Sequence, residues 1–290
     1  MKGTYSKRKK VLRLKRIGRY YIALFALIFF AALWIPKLRY LSESGRLSGN
    51  IAESAGFRAQ PVNNEIQKVI NKMEDPGEYL AVYWLESDFG NTSFFLEPEE
   101  ITRYRRRWER AGGWSSYFAA CQSVWDDLVY FPVARLGNGS GKDQVSFENS
   151  WMYERSYQGE RGHEGTDIMP ARNERGVIPV VSMTDGTVQN MGWLELGGYR
   201  IGIRTERGAY FYYAHLDSYA DLQTGDKVKA GDLLGFMGDT GYSSVEGTTG
   251  KFPVHLHLGI YLPSDDGEVS INPYPALKYV ENRRIQYKAH

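Results

Sequence analysis

Apolar and polar positions divide this 290-residue chain into three successive patterns. The first is an unbroken run. Residues 20–35 read Tyr-Tyr-Ile-Ala-Leu-Phe-Ala-Leu-Ile-Phe-Phe-Ala-Ala-Leu-Trp-Ile, and 17 uncharged residues separate Arg19 from Lys37. As a helix that is about 26 Å, enough to span a bilayer core when the flanking cations reach outward. Tyr20, Tyr21 and Trp34 stand where interfacial aromatics would. The pattern predicts a transmembrane anchor over 20–36, behind a basic tail over 1–19.

The second pattern is helical. Residues 37–61, rich in Ser, Gly, Glu and Asn, read as a linker. Asn63-Asn64 then caps a helix carrying Ile66, Val69, Ile70 and Met73, and Pro76-Gly77 stops it. A second apolar run covers Tyr79 to Leu85. Pro98 to Arg110 reads as a basic, exposed helix opened by glutamates. Gly112-Gly113 breaks it, and Ser115 or Ser116 caps a further helix through Trp125 to about Tyr130. A small helical module over 62–135 is expected, then a connector over 136–160 with a Gly-rich break at Leu136 to Gly141.

The third pattern has period two. Val177-Ile178, Thr187-Val188, Tyr199 to Arg204, Tyr210 to Tyr213 and Val254 to Tyr261 are short β-branched or aromatic runs, separated by Asp-Gly, Gly-Gly and Thr-Gly turn signals. No helical period persists there. The fold class is therefore α+β: an N-terminal transmembrane helix, a small helical module, and a C-terminal all-β domain of antiparallel sheet over 161–280.

Charge sets the topology. Residues 1–40 hold 11 of the 36 basic residues and none of the 34 acidic ones, leaving 25 against 34, a formal charge of −9, for the rest. Nine Lys or Arg residues precede the apolar run with no acid among them. That bias puts the N-terminus in the cytoplasm and the β domain outside. A cleaved signal peptide fits less well, since the run is at the long end for one and no small-x-small site directly follows. The mildly acidic remainder gives no support to a nucleic-acid role. No G-x-G-x-x-G follows a strand and opens a helix, which removes nucleotide binding. The single cysteine, Cys121, shares a helical face with Tyr117, Val124, Trp125 and Leu128, the setting of a buried structural thiol. No heptad repeat suggests a homo-oligomer.

Four of the five histidines carry the candidate chemistry: three in two short motifs and one at a strand end. Arg161-Gly162-His163-Glu164-Gly165-Thr166-Asp167 is an H-x-G-x-D. Val254-His255-Leu256-His257-Leu258 is an H-x-H. In the alternating segment Val254 to Tyr261, His255 and His257 project from one face, about 7 Å apart along a strand. His163 and Asp167 share a face of a strand too, with Gly165 between them leaving room for a metal and a substrate. Two imidazoles and a carboxylate, with another imidazole beside them, form the donor set of a catalytic zinc that keeps one position open. A cupin-type pattern would need a carboxylate where Leu262 stands, and an iron oxygenase triad usually has one residue between His and Asp. Phe211-Tyr212-Tyr213-Ala214-His215-Leu216 reads as a strand ending in a histidine, a candidate site imidazole.

These residues sit inside a longer match. The stretch from about Arg161 to Asn272 resembles the lysostaphin-type (LytM) zinc endopeptidases. Thr184-Asp185-Gly186-Thr187-Val188 looks like that family's "DGTV" hairpin, and Tyr213-Ala214-His215-Leu216 like its "YAHL" segment. Gly225 to Asp232 looks like its "GDxVKAGD" turn, Gly235 to Gly241 like its "GxxGxTG" run, and His255-Leu256-His257 like its "HLH". The chain departs where the family often has Phe-Glu after "HLH"; here stand Leu258 and Gly259. The polar loop Tyr242 to Pro253 is long and is expected to form one wall of a substrate groove.

The resemblance implies that His163, Asp167 and His257 bind one Zn2+ per chain and that His215 and His255 are the catalytic imidazoles. It implies a metallopeptidase that hydrolyses peptide bonds in peptidoglycan stem peptides or cross-bridges through a metal-activated water, which the apolar run and its basic flank would anchor to the cell membrane with this domain outside. Its expected partners are peptidoglycan and the membrane, with no nucleic acid, and the helical module is a candidate contact for a protein. Asn149 and Glu154 lie just upstream as candidate extra ligands of a latent form. The alternative is an envelope or sporulation scaffold that uses the same domain for binding.

Overall fold

The computed structural model describes residues 18–35, 38, 47, 50–137, 144–156 and 159–288. Most of the basic tail, most of the expected linker and the centre of the Gly-rich break lie outside the described residues. The chain divides into two compact units, Met1–Ser48 and Gly49–His290.

The first unit contains helix α1, Gly18–Ile35, which is long and apolar enough to cross a membrane by length and composition. Its apolar side chains, Phe25 and Ile22 among them, are exposed.

The second unit begins with helices. The reading of 37–61 as linker needs correction, because a 3-10 turn (Ile51–Glu53) and helix α2 (Ala55–Ala59) occupy its end. One fully buried side chain, Phe57, fixes α2 among Trp84 and Tyr117. Helix α3 (Asn64–Ile70) starts where expected, with the Asn63 side chain accepting from the amides of Glu65 and Ile66. Helix α4 (Gly77–Glu86) is buried on almost every face. Helix α5 (Ile101–Trp108) follows Pro98–Glu100 and is not wholly exposed: Trp108 is buried and donates to Glu86. Helix α6 (Trp114–Trp125) differs from expectation at both ends. No serine caps it; Gly113, at φ 87°, supplies the turn, and the helix stops at Trp125.

Fourteen strands follow in chain order: β1 (Arg135–Leu136), β2 (Val145–Phe147), β3 (Glu154–Arg155), β4 (Arg161–Gly162), β5 (Thr166–Pro170), β6 (Pro179–Val181), β7 (Gly186–Leu194), β8 (Gly198–Arg204), β9 (Tyr210–Tyr219), β10 (Lys227–Val228), β11 (Leu233–Met237), β12 (Leu256–Ser264), β13 (Gly267–Ile271) and β14 (Gln286–Tyr287). Ten of them form one sheet along the path β10-β7-β8-β9-β12-β5-β2, with β13 on β12, and β11 joining β6 to β9. All its pairings are antiparallel. The expected connector 136–160 is therefore not only a connector, since β2 is a strand of this sheet. Its inner face buries Ile201, Ile203, Phe211, Tyr213, Leu258 and Ile260.

Helix α7 (Tyr274–Val280) and the helices from the N-terminal side lock to this sheet by specific bonds. Arg58 Nε donates to the Ser270 carbonyl at 3.0 Å, and the Asn272 amide donates to the Arg58 carbonyl at 2.8 Å. The Tyr279 hydroxyl donates to the Met73 carbonyl at 2.8 Å, while its ring meets Trp125 edge-on. The described residues between 50 and 288 thus share one hydrophobic and hydrogen-bonded body, with the sheet face carrying the histidines left open.

Candidate metal centre and substrate groove

Strand register brings the expected ligands together. On β12, His257 lies directly opposite Asp167 of β5 and Ala214 of β9. Directly opposed residues project to the same face, so the carboxylate and the imidazole meet. His163 is not on a strand, contrary to the period-two expectation. The chain leaves β4 at Gly162 and rejoins the sheet at Thr166, and His163 reaches the site from that connection. Gly165 there does something different from the expected role: a Cβ would lie 2.5 Å from Cε1 of His257, so the glycine makes room for the ligand ring itself.

The three donors form a near-equilateral triangle. His163 Nε2 is 3.0 Å from Asp167 Oδ1 and 3.0 Å from His257 Nδ1, and His257 Nδ1 is 3.1 Å from Asp167 Oδ1. This set is a group able to hold a metal ion. A tetrahedral ion bonded at about 2.0–2.1 Å has ligand edges of about 3.3 Å, close to this triangle. The donor chemistry also fits. Nδ1–H of His163 donates to the Ser150 carbonyl at 3.0 Å, which leaves the Nε2 lone pair pointing at the cluster. Asp167 Oδ2 accepts from Arg155 Nη2 at 2.7 Å, which leaves Oδ1 facing the imidazoles. Burial by itself would raise the Asp167 pKa, but His163 and His257 beside it hold it well below the ordinary carboxylate range.

His255 and His215 border the triangle. His255 Nε2 is 3.7 Å from Asp167 Oδ1, and its Nδ1–H donates to the Pro253 carbonyl at 2.8 Å. The rings of His215 and His255 have centroids 4.7 Å apart. Burial depresses the pKa of both, and for His215 the neighbouring His255 and His257 add to it. His215 reaches this face through a β-bulge. Its φ is 64°, and the β8–β9 register advances two residues on β8 against three on β9 between Tyr213 and Leu216. Simple alternation would place His215 with Phe211 and Tyr213 in the core; the extra residue turns it outward. The strand does not end at His215, as the sequence suggested, but runs on to Tyr219. Nδ1–H of His215 then donates to the Thr240 carbonyl at 2.8 Å.

A groove of about 1040 Å³ runs over these residues. The loop expected to wall it does so through Tyr242, Phe252 and Pro253. Phe252 stacks edge-on against His215 with centroids 4.6 Å apart. Among the described residues, no lining side chain comes from α2–α6, so the helical layer does not plug the groove. Of the two upstream candidates for an extra ligand, Asn149 accepts from Asn272 instead, and Glu154 is absent from the groove lining. Sequence reasoning missed Arg155 and Tyr212. Arg155 carries no spacing signal. Tyr212, two residues before Ala214 on the same face, sits edge-on to His257 at 6.0 Å and was reachable by alternation.

Comparison with known proteins gives the family. Residues 42–127 match the family model of the LytM N-terminal domain, and residues 161–273 match that of peptidase family M23. The L-Ala–D-Glu endopeptidase of Bacillus subtilis is 41% identical over 148 residues, covering 51% of this chain and 44% of that protein. The glycyl-glycine endopeptidase ALE-1 of Staphylococcus capitis is 33% identical over 102 residues, 34% of this chain and 26% of that protein. The matches to these relatives thus span less than half of their length. A crystal structure of a candidate glycyl-glycine endopeptidase, lytM, from Ruminococcus gnavus superposes with a TM-score of 0.79 at 49% identity, covering 84% of this chain and 98% of that one.

Proposed function

This chain belongs to peptidase family M23, and from that premise we propose that it is a membrane-anchored zinc endopeptidase hydrolysing peptide bonds of peptidoglycan outside the bilayer. The observation that carries the reading is the convergence of His163 Nε2, Asp167 Oδ1 and His257 Nδ1 on one point at the floor of an open groove. In this reading those three atoms hold the ion, and His215 and His255 are the catalytic imidazoles. In this reading helix α1 (Gly18–Ile35) supplies the anchor expected over 20–36, and 161–280 is the peptidase domain with β2 added to its sheet.

Bound zinc supplies Lewis acidity at the scissile carbonyl and lowers the pKa of water toward about 7. The chain's residues do the rest. His255 carries its proton on Nδ1, pinned to the Pro253 carbonyl, so its Nε2 lone pair faces the cluster and receives a proton from the attacking water. Oxygen adds to the carbonyl carbon, the C–N bond breaks, and the proton passes from His255 to the leaving nitrogen. His215 is held in the same tautomer by the Thr240 carbonyl. Its Nε2 is an acceptor as well, so it orients a proton donor until protonated, and only then donates to a developing oxyanion. Depressed pKa values keep both rings neutral and receptive at neutral pH.

The test uses the detergent-solubilised full chain on purified peptidoglycan. About one zinc per chain is expected, together with release of free amino groups that mass spectrometry of the muropeptides assigns to one peptide bond. Wild-type and His255→Ala proteins releasing equal amounts would refute the reading. Fractionation with alkaline extraction tests the anchor, which holds if the chain stays in the membrane pellet.

A further inference from the structure

Away from the ligand triangle the groove contains a cation, Arg200, that forms no ion pair among the described residues. Arg200 stands on β8 opposite Gly192 and lines the groove. Its Nη1 is buried without a hydrogen-bond partner. Two other arginines near the groove are held by acidic partners. Arg155 is committed to Asp167, and Arg204, four residues along the same strand, is committed to Glu268, Gln189 and the Gly208 carbonyl. Arg200 sits close enough to Tyr210, Tyr212 and Tyr219 that its charge favours their ionised forms, although burial dominates and raises all three. Tyr212 in turn abuts His257. The guanidinium is therefore one ring removed from the candidate metal centre, on a wall of partly desolvated phenols.

A buried, unspent N–H on a permanent cation costs free energy unless something in the working state satisfies it. A planar guanidinium matches a carboxylate, which accepts two parallel N–H bonds. Position narrows the donor of that carboxylate. From β12 to β9 to β8 is two strand spacings, about 10 Å, the span of one extended residue and its side chain. We infer that Arg200 determines specificity by binding a free carboxylate on the substrate residue next to the scissile bond. This rests on the peptidase reading above and deepens it. Of the bond types named for the relatives, an alanyl–glutamyl bond offers such a carboxylate and a glycyl–glycine bond offers none. The groove chemistry points to the acidic stem peptide.

The experiment separates binding from hydrolysis. Two synthetic stem peptides are compared, one with the free carboxylate of D-Glu and its twin with that group amidated. Calorimetry on zinc-free full chain reads binding, and liquid chromatography on the zinc-loaded chain reads cleavage. Wild type is expected to bind the carboxylate peptide at least roughly 10-fold tighter than the amide, as befits a charge-assisted pair. Arg200→Leu should bind both alike, and Arg200→Lys should recover part of the difference, since it keeps the charge but loses the fork. Arg161, which lines the groove from β4 rather than from the main sheet and whose Nε is also unpaired, is the control: Arg161→Leu should keep the preference. Equal binding of both peptides to wild type, or a preference surviving in Arg200→Leu, overturns the inference. Preferential binding with cleavage of neither peptide would leave the inference standing and remove the peptidase reading instead.

Discussion

In the helical layer, Trp84, Trp125, Tyr79 and Tyr117 bury their rings and give each polar tip to one acceptor: the Pro61 carbonyl, Gln60 Oε1, the Leu96 carbonyl and the Ala81 carbonyl, at 2.7–2.9 Å. In the sheet groove the arrangement is reversed. His163, Asp167 and His257 turn their acceptor atoms toward one another at 3.0–3.1 Å, and Arg200 keeps a buried donor unused. Mutual lone-pair convergence is repulsive without a proton or a cation between the atoms. The helices therefore spend their hydrogen-bonding capacity on stability, while the groove reserves it for a ligand.

The sharpest way to break that contrast is to remove a groove donor. Asp167→Ala or His257→Ala should reduce zinc, read by plasma mass spectrometry on purified protein, from about one ion per chain to background. Retention of stoichiometric zinc by either variant would mean that the triangle is not the metal site.

The second prediction probes the other side of the contrast. Trp125→Ala empties a fully buried volume and strands Gln60 Oε1. It should cost about 3–5 kcal/mol in denaturant unfolding, with zinc content unchanged in the fraction that remains folded. Loss of zinc at equal foldedness would show that the helical layer shapes the site directly.

How much of this was legible follows from which physics each element obeys. The face shared by His255 and His257 was readable because Val254 to Tyr261 alternates and one register then fixes Asp167 opposite His257. The cap at Asn63 was readable because Asn followed by an apolar period is a local signal. His215 was readable as a residue but not as a direction, since a bulge at φ 64° reverses what period two predicts. Residues 51–59 looked like linker because Phe57 is the one large side chain they bury, one ring gives no periodicity, and the bonds of Arg58 to Ser270 and Asn272 are visible only in the tertiary structure. Strand β2 is three residues long, too short to alternate visibly. Arg155 and Arg200 are ordinary arginines in the sequence, and only tertiary placement gives one a partner and leaves the other without.

A milder perturbation distinguishes holding a ligand from being one. Arg155 grips Asp167 Oδ2 and thereby aims Oδ1 at the imidazoles. Arg155→Gln should weaken zinc about 10–100-fold, the usual effect of losing an outer-shell partner, as read by competition with a zinc-sensitive dye. An unchanged affinity would make the ion pair a surface ornament rather than a positioning contact.

The smallest expected effect is on the pH dependence of stability in zinc-free protein, and its sign follows from the groove. His215, His255 and His257 all have pKa values below their ordinary 6.5, chiefly because burial disfavours the imidazolium. The unfolded chain takes up protons near pH 6.5 while the folded one resists, so the unfolded state gains as pH falls. Stability should hold level above about pH 6.5, decline from there toward the depressed folded values, and decline further as Asp167, held low by His163 and His257 against burial, is finally protonated. The helical layer contributes no histidine to that window. Replacing His215 by Asn should therefore flatten the first decline in urea titrations run from pH 7.5 to pH 5, and a slope identical to wild type would place the proton uptake elsewhere.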